Sequence, residues 1–273
     1  MTVINTNIGA TIARNAITTN ERSMANSMER LSTGLRINSA GDDAAGHAIS
    51  SRMAADIAGL DMGVRNANDA ISMIQVMDGA TKEITDMLVR MKELATQAAS
   101  ETYSDSDRDN LDLEYQALEA EITRIQENTK WNGMALLDSD AGAKAIQLGS
   151  SAVSFTFVDW SIEETAGVLK DIEDKDLQSK DNAVTALGKV DLAITAATAE
   201  QAKFGAWMNS LAHAADNLLN VSANTDQSRS RIQDADYAVE TTNLARTQII
   251  AQASTAMLAQ ANNMKQTVLA LLD

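Results

Sequence analysis

Leu187 to Leu218 reads LGKVDLAITAATAEQAKFGAWMNSLAHAADNL, and within it Leu187, Val190, Ile194, Ala197, Gln201, Phe204, Met208, Leu211, Ala215 and Leu218 alternate by three and four. Side chains at that spacing share one face of an α-helix. Only Gln201 interrupts the apolar series. A long helix with so narrow an apolar seam requires partner helices along its whole length.

Partners are legible upstream. Met24, Met28, Leu31 and Leu35 step by four, three and four; Ile57, Leu60, Val64, Ala67, Ile71 and Ile74 alternate three and four; Ile84, Leu88, Met91, Ala95 and Ala98 resume the pattern. The spacing predicts one long helix or two nearly collinear ones. The polar stretch Tyr103 to Asp109 reads as a turn, and Leu111, Tyr115, Leu118, Ile122 and Ile125 mark a helix that folds back as an antiparallel partner. Asn132-Gly133 is a turn signal, and between Ala145 and Trp160 the period falls to two, broken by Gly149-Ser150-Ser151, which predicts a β-hairpin. The acidic stretch Glu163 to Asp181 is expected to be the most exposed part of the molecule. Polar Asn220 to Ser230 precedes a last helix carrying Tyr237, Leu244, Ile250, Ala253, Met257, Ala261, Met264, Val268 and Leu271. The expected fold is mainly α: long antiparallel coiled-coil helices formed by both chain ends, with a small β-hairpin region.

Composition agrees with thin helical seams. The 273 residues include no Pro, no Cys and only 3% aromatics, while 45% are apolar. Thick globular interiors rely on aromatic bulk, whereas helix seams need only small and aliphatic side chains. A net charge of -16 favours solubility and opposes binding to nucleic acid or an anionic membrane. Lack of cysteine removes disulfides, thiolate metal sites and cysteine nucleophiles. No apolar run approaches the roughly 18 residues of a membrane helix, and Met1 to Arg14 shows no cleavable secretory signal.

Other constellations fail chemically. Asp105, Asp107 and Asp109 suggest a calcium loop, but Asn110 and Gln116 stand where glycine and a bidentate glutamate are required, so a solvated helix-capping turn is the reading. His47 and His213 are far apart in sequence and lack cysteine partners. Glu163 and Glu164 have no apolar pocket implied to tune an acid and a base, and no Gly-x-Ser-x-Gly elbow is present. Methionines at heptad spacing read as adaptable packing. No catalytic residue, metal or cofactor is assigned.

The terminal stripes carry the functional argument. Apolar spacing continues to Leu271-Leu272-Asp273 at one end and begins with Ile4, Ile8 and Ile12 at the other. About seven apolar side chains between Ile250 and Leu272, at about 1.5 to 3 kcal/mol each, represent on the order of 10 to 20 kcal/mol before entropy. Isolated helices are marginal, so these ends are expected to be disordered alone and helical when packed. Pairing with each other still leaves an outer flank, and burial against further copies, repeated without closure, gives a helical filament.

Three long stretches then become recognisable. Ser27 to Met53, SMERLSTGLRINSAGDDAAGHAISSRM, and Leu60 to Ala80, LDMGVRNANDAISMIQVMDGA, resemble the N-terminal signature of bacterial flagellins, and Ser228 to Asn262, SRSRIQDADYAVETTNLARTQIIAQASTAMLAQAN, resembles the C-terminal one. The resemblance covers roughly Met1 to Leu137 and Leu187 to Asp273. It implies a terminal inner-tube coiled-coil domain from 1–42 plus 234–273, and a rod domain from 43–180 plus 181–233 whose only insert is the hairpin near 145–160 and the acidic stretch. Self-assembly into the filament is expected to rest on Ile4, Ile8, Ile12, Met24, Met28, Leu31, Leu35, Leu244, Ile250, Met257, Met264, Val268 and Leu271. The resemblance further implies a secreted, extracellular place in the flagellum, and as partners the flagellar type III export apparatus, an export chaperone on the C-terminal region, a filament cap and hook-filament junction proteins. It also implies contact of Arg90, Leu94 and Glu114 with a vertebrate Toll-like receptor. His47, Trp207, Ser210 and Lys265 depart from the family's usual residues. Alternatives within this architecture are a hook-filament junction protein and a surface homologue binding polysaccharide through Trp131, Phe155, Phe157 and Trp160. Ser and Thr around Ser139 to Thr165 are candidate O-glycan acceptors.

Overall fold

The computed structural model describes residues 6–138, 142–160, 162, 168–169, 172 and 176–270, with side chains to Asn263. Helix α1 spans Ile8–Thr33, α2 Ala44–Ala98, α3 Asp105–Asn128, α4 Lys180–Gln233 and α5 Tyr237–Ala270. Two small antiparallel pairs lie between α3 and α4: β1 (Lys130–Trp131) with β2 (Met134–Ala135), and β3 (Ala143–Leu148) with β4 (Ser151–Thr156). The mainly helical architecture with a small hairpin is the one the periodicity predicts. Among the described residues no helix is long and apolar enough to cross a membrane.

The chain divides into two compact units, a terminal one (Met1–Ile57 with Ala223–Asp273) and a central one (Ala58–Ser222). The central unit holds an apolar core. Ile74, Met77, Ile84, Leu88, Met91 and Leu94 from α2 are sealed beside Tyr115 and Ile122 from α3 and Val190, Phe204 and Leu211 from α4.

Local chemistry sets the ends of these helices. The stretch Met24 to Ala98 is two helices and not one: Gly34 caps α1 in the left-handed region (φ 73°), where a side chain is costly, and Asp43 then accepts the Gly46 amide to begin α2. Ser104 and Asp107 form a reciprocal capping box at the start of α3. Arg108, almost fully buried, donates to the carbonyls of Ala98 and Ser100 and so satisfies the end of α2. In the β1–β2 turn Asn132 (φ 49°) and Gly133 (φ 81°) supply the two positive angles that a two-residue hairpin turn demands.

The β3–β4 hairpin docks on α2 and α4. A Cβ at Gly63 would lie 2.5 Å from the Gly149 nitrogen, so the turn is seated directly on the α2 backbone. Asn66 donates to the Gln147 carbonyl at 2.8 Å beside it. From α4, Trp207 meets Phe155 and Phe157 at ring-centroid distances of 5.2 and 5.5 Å. Its indole is therefore packing for the hairpin.

One helix runs beyond its apolar spacing, and one expectation is corrected. Asn220 to Ser230 does not interrupt helix: α4 runs unbroken through it because no Gly or Pro intervenes, and Asn220 and Ser228 donate to carbonyls one turn back. The acidic stretch is not simply exposed. Within it Leu169, Ile172 and Leu177 belong to the buried core, and buried Asp112 of α3 accepts the Leu177 amide at 2.8 Å. Glu163 and Glu164 lie outside the described residues.

Candidate assembly interface

Helix α1 packs along α5 in the terminal unit. The direction is antiparallel: Asn7 Nδ2 donates to the Ala261 carbonyl at 3.3 Å, Asn20 Nδ2 to the Thr247 carbonyl at 2.7 Å, and the Tyr237 hydroxyl to the Leu31 carbonyl at 2.9 Å. Ser27 Oγ and Arg30 Nη1 both donate to the Glu240 carboxylate, at 3.0 and 3.1 Å. Beside that end the connectors pair with each other, Leu35 bridging Asp234 and the Ala235 amide donating to the Gly34 carbonyl.

The seam follows from burial. On α1 it runs through Ala10, Ala13, Ile17, Asn20, Met24, Ser27 and Leu31, and on α5 through Glu240, Leu244, Thr247, Ala251, Ser254, Leu258 and Ala261, each stepping by three and four. The most buried members are polar: Asn20, Ser27, Glu240 and Thr247. Large apolar side chains lie outside it, with Ile8 60% exposed, Ile12 64%, Met28 55%, Ile249 67% and Met257 66%.

Of the expected assembly residues, Met24, Leu31 and Leu244 are half-buried on the seam and Leu35 is half-buried in the connector, whereas Ile8, Ile12, Met28, Ile250 and Met257 face outward. The apolar stripe of α1 is thus not the surface that meets α5. Four-residue steps drift around a helix of 3.6 residues per turn, and the seam keeps to an average of 3.5. Ile4 and Leu271 lie outside the described residues, and so do the side chains of Met264 and Val268. Sequence reading missed Asn20, Ser27, Arg30, Glu240 and Thr247. The available signal was their spacing, since Asn20 and Ser27 are seven apart, and so are Glu240 and Thr247.

In the central unit Arg90 Nε donates to Glu114 and Nη1 to Glu93, both at 2.8 Å on the surface. The two carboxylates, Glu114 foremost, push the guanidinium pKa up from its ordinary value. Leu94 does not join them. It is 1% exposed and part of the core. Asp107 accepts the Ser104 amide to complete the cap of α3, and Asp105 pairs with Arg108. Among the described residues no cluster of His, Cys, Asp or Glu is arranged to hold a metal. Phe155, Phe157 and Trp160 are buried, which leaves of the four aromatics considered for polysaccharide only Trp131 half-exposed.

The chain matches the family model of the bacterial flagellin N-terminal helical region over residues 4–142 and that of the C-terminal helical region over 187–272. It is 42% identical to a flagellin of Halalkalibacterium halodurans over 275 residues, covering 99% of each chain. A flagellar filament 33 kDa core protein of Treponema phagedenis is 36% identical over 287 residues, again with 99% of each covered. The crystal structure of Bacillus cereus flagellin superposes with a TM-score of 0.51 at 34% identity, spanning 56% of this chain and 88% of that one. A putative flagellar hook-associated protein from Vibrio parahaemolyticus, at 11% identity and a TM-score of 0.60 over 71% of this chain and 100% of that one, shares the fold alone. With both terminal regions matched in order and relatives aligned end to end, the chain belongs to the bacterial flagellin family and is a structural subunit of the flagellar filament.

Proposed function

We propose that the subunit builds the filament by stacking its terminal helix pair against those of other copies, residues 1–42 and 234–273 lining an inner tube and residues 43–233 forming the rod around it. The observation that carries this reading is the inversion of the terminal pair: polar groups are buried between α1 and α5 while Ile8, Ile12, Met28, Ile249, Ile250 and Met257 are exposed. Fully covering six such side chains, about half of whose area is still open, is worth on the order of 5 to 10 kcal/mol per subunit. That is enough to drive association once the helices are ordered by their neighbours.

The subunit acts as a building block and not as a catalyst. Its route is export in unfolded form through the flagellar type III apparatus, with a chaperone holding the apolar C-terminal region, a cap guiding insertion and junction proteins at the base. Its place is extracellular. A Toll-like receptor contact of the rod would rest on the exposed Arg90 and Glu114.

Seeding tests the reading. Purified monomer at micromolar concentration is expected to show fast amide exchange before Gly34 and after Asp236 and to extend sheared filaments of the same chain, acquiring protection there as it does so. Monomer already protected over both ends, or unable to extend its own seeds, overturns it.

A further inference from the structure

Large apolar side chains lie both on the seam between α1 and α5 and off it. Leu244 and Leu258 of α5 lie on the seam, but Val239, Ile249, Ile250 and Met257 lie off it, and on α1 Met24 is on the seam while Met28 is off it. Burial of apolar area has no direction, so it does not choose which faces meet or in which register. We propose that Glu240, gripped by Ser27 and Arg30, is the residue that specifies how the two ends of one chain pair, fixing both the face and the register of the terminal coiled coil. The assignment rests on the reading that this pair is the assembly element.

Glu240 is the only carboxylate between Tyr237 and Ala270. It is buried, and its two oxygens are taken separately, Oε2 by the Ser27 hydroxyl and Oε1 by Arg30. Slipping α5 by one turn would set the carboxylate level with Leu31 in one direction or Met24 in the other, leaving a charge buried without a partner, a costly state. Asn20 discriminates less, because its partner is a backbone carbonyl and every turn of α5 presents one. Side chain to side chain recognition tolerates no such shift.

The sequence of α1 contains two decoys. Thr11 with Arg14 and Thr19 with Arg22 repeat the hydroxyl-and-arginine spacing of Ser27 with Arg30, each set eight residues from the next. Eight residues turn about 80° beyond two full helical turns. Accordingly Thr11, Arg14, Thr19 and Arg22 are exposed, while Ser27 is buried and Arg30 half-buried. On the face that meets α5, Ser27 and Arg30 are therefore the only set of the three that reaches Glu240. The paired connectors at Leu35 and Asp234 tether the start of the pair, but a tether does not select a helix face.

The chain has no cysteine, so introduced pairs report alone. Full-length chain carrying Ala13→Cys with Ser254→Cys reports the observed register, and Ala13→Cys with Ala261→Cys reports a slip of one heptad. Each is copolymerised as a minor fraction with parent subunits, so that a weakened variant still enters filaments. Intramolecular disulfide is read on non-reducing gels as a faster-migrating monomer. The native pair is expected to close and the slipped pair to stay open. Adding Arg30→Glu is expected to slow native closure at least about tenfold, by placing like charges in the seam. Combining it with Glu240→Arg is expected to restore closure to within about twofold of the parent. Native closure unchanged by Arg30→Glu means that the connectors alone set the pairing and overturns the assignment, as does failure of the charge swap to restore it. A native pair that stays open in the parent filament overturns the terminal-pair reading itself.

Discussion

In the central unit Tyr115, Phe204, Met77 and Leu88 are sealed from solvent, whereas in the terminal unit the most buried among the described residues of α1 and α5 are Asn20, Ser27, Glu240 and Thr247, and Ile12, Ile249 and Met257 are left open. Both regions are made of long helices with three-four spacing. They differ in which side chains the seam receives. An apolar core is complete within one chain, while a seam whose most buried members are polar and whose flanks carry exposed apolar side chains is half of a larger structure. Stability of the one is a property of the monomer, and stability of the other belongs to the polymer.

The largest expected effect separates the two units outright. Deleting 241–273 removes most of α5, and is expected to abolish extension of seeds while leaving the denaturant midpoint of the central unit unchanged. Loss of that midpoint with the deletion would mean that the units are not independent in stability.

Single substitutions sharpen the contrast. Leu88→Ala, at a site with no exposure, is expected to cost about 2 to 5 kcal/mol in monomer unfolding by urea. Met257→Ala is expected to change that value by less than about 0.5 kcal/mol. Its effect belongs to the critical concentration for polymerisation, which is expected to rise roughly 5- to 30-fold for a loss of about 1 to 2 kcal/mol. Equal effects of the two substitutions on monomer unfolding would break the distinction.

Within the central unit the hairpin is the element most sensitive to a single atom. Gly63→Ala places a Cβ 2.5 Å from the Gly149 backbone nitrogen and 3.2 Å from Leu218 Cδ1, so the turn has to lift from α2. A cost of about 1 to 3 kcal/mol is expected, together with altered near-ultraviolet circular dichroism as Trp207 loses its fixed geometry against Phe155 and Phe157. Gly59→Ala, with open space at its Cβ, is the matched control and is expected to be neutral or slightly stabilising.

The comparison also explains what the sequence revealed. Long apolar stripes such as Ile57 to Ile74 and Leu187 to Leu218 fix helix existence, and Asn132-Gly133 and Gly149 fix turns, because these signals act within a few residues. The continuity of α4 was hidden by the polar stretch Asn220 to Ser230, since polarity lowers burial without breaking a helix. Burial of Leu177 was hidden because it depends on Asp112, 65 residues earlier in the chain. The inversion of the terminal pair was hidden for a related reason. Ile8, Ile12 and Met28 look like seam residues until Asn20 and Ser27 are known to point at Thr247 and Glu240, more than 200 residues away.

The smallest effect concerns acid, and it compares a cap in each unit. In the terminal unit Asp42 accepts the Ser39 and Asn38 amides, and these bonds, the Ser39 one foremost, hold its carboxyl below the ordinary 3.8. In the central unit the Ser104 hydroxyl and then the Ser104 amide do the same for Asp107. A depressed carboxylate pKa means that the native state favours the ionised form, so each contribution is complete above the ordinary value and is lost as pH falls through the lower folded one. Local amide protection at Asn38 and Ser39, and at Ser104 and the first turn of α3, is therefore expected to hold at pH 5 and to weaken progressively below about pH 4. Because both groups are exposed, the change should be read by exchange at those amides and not by the global midpoint. Asp107→Asn keeps an acceptor at the cap and removes its titration, so the acid response of α3 is expected to vanish while that of Asp42 persists. A response of α3 surviving in Asp107→Asn would transfer the acid sensitivity to another group and separate it from the capping box.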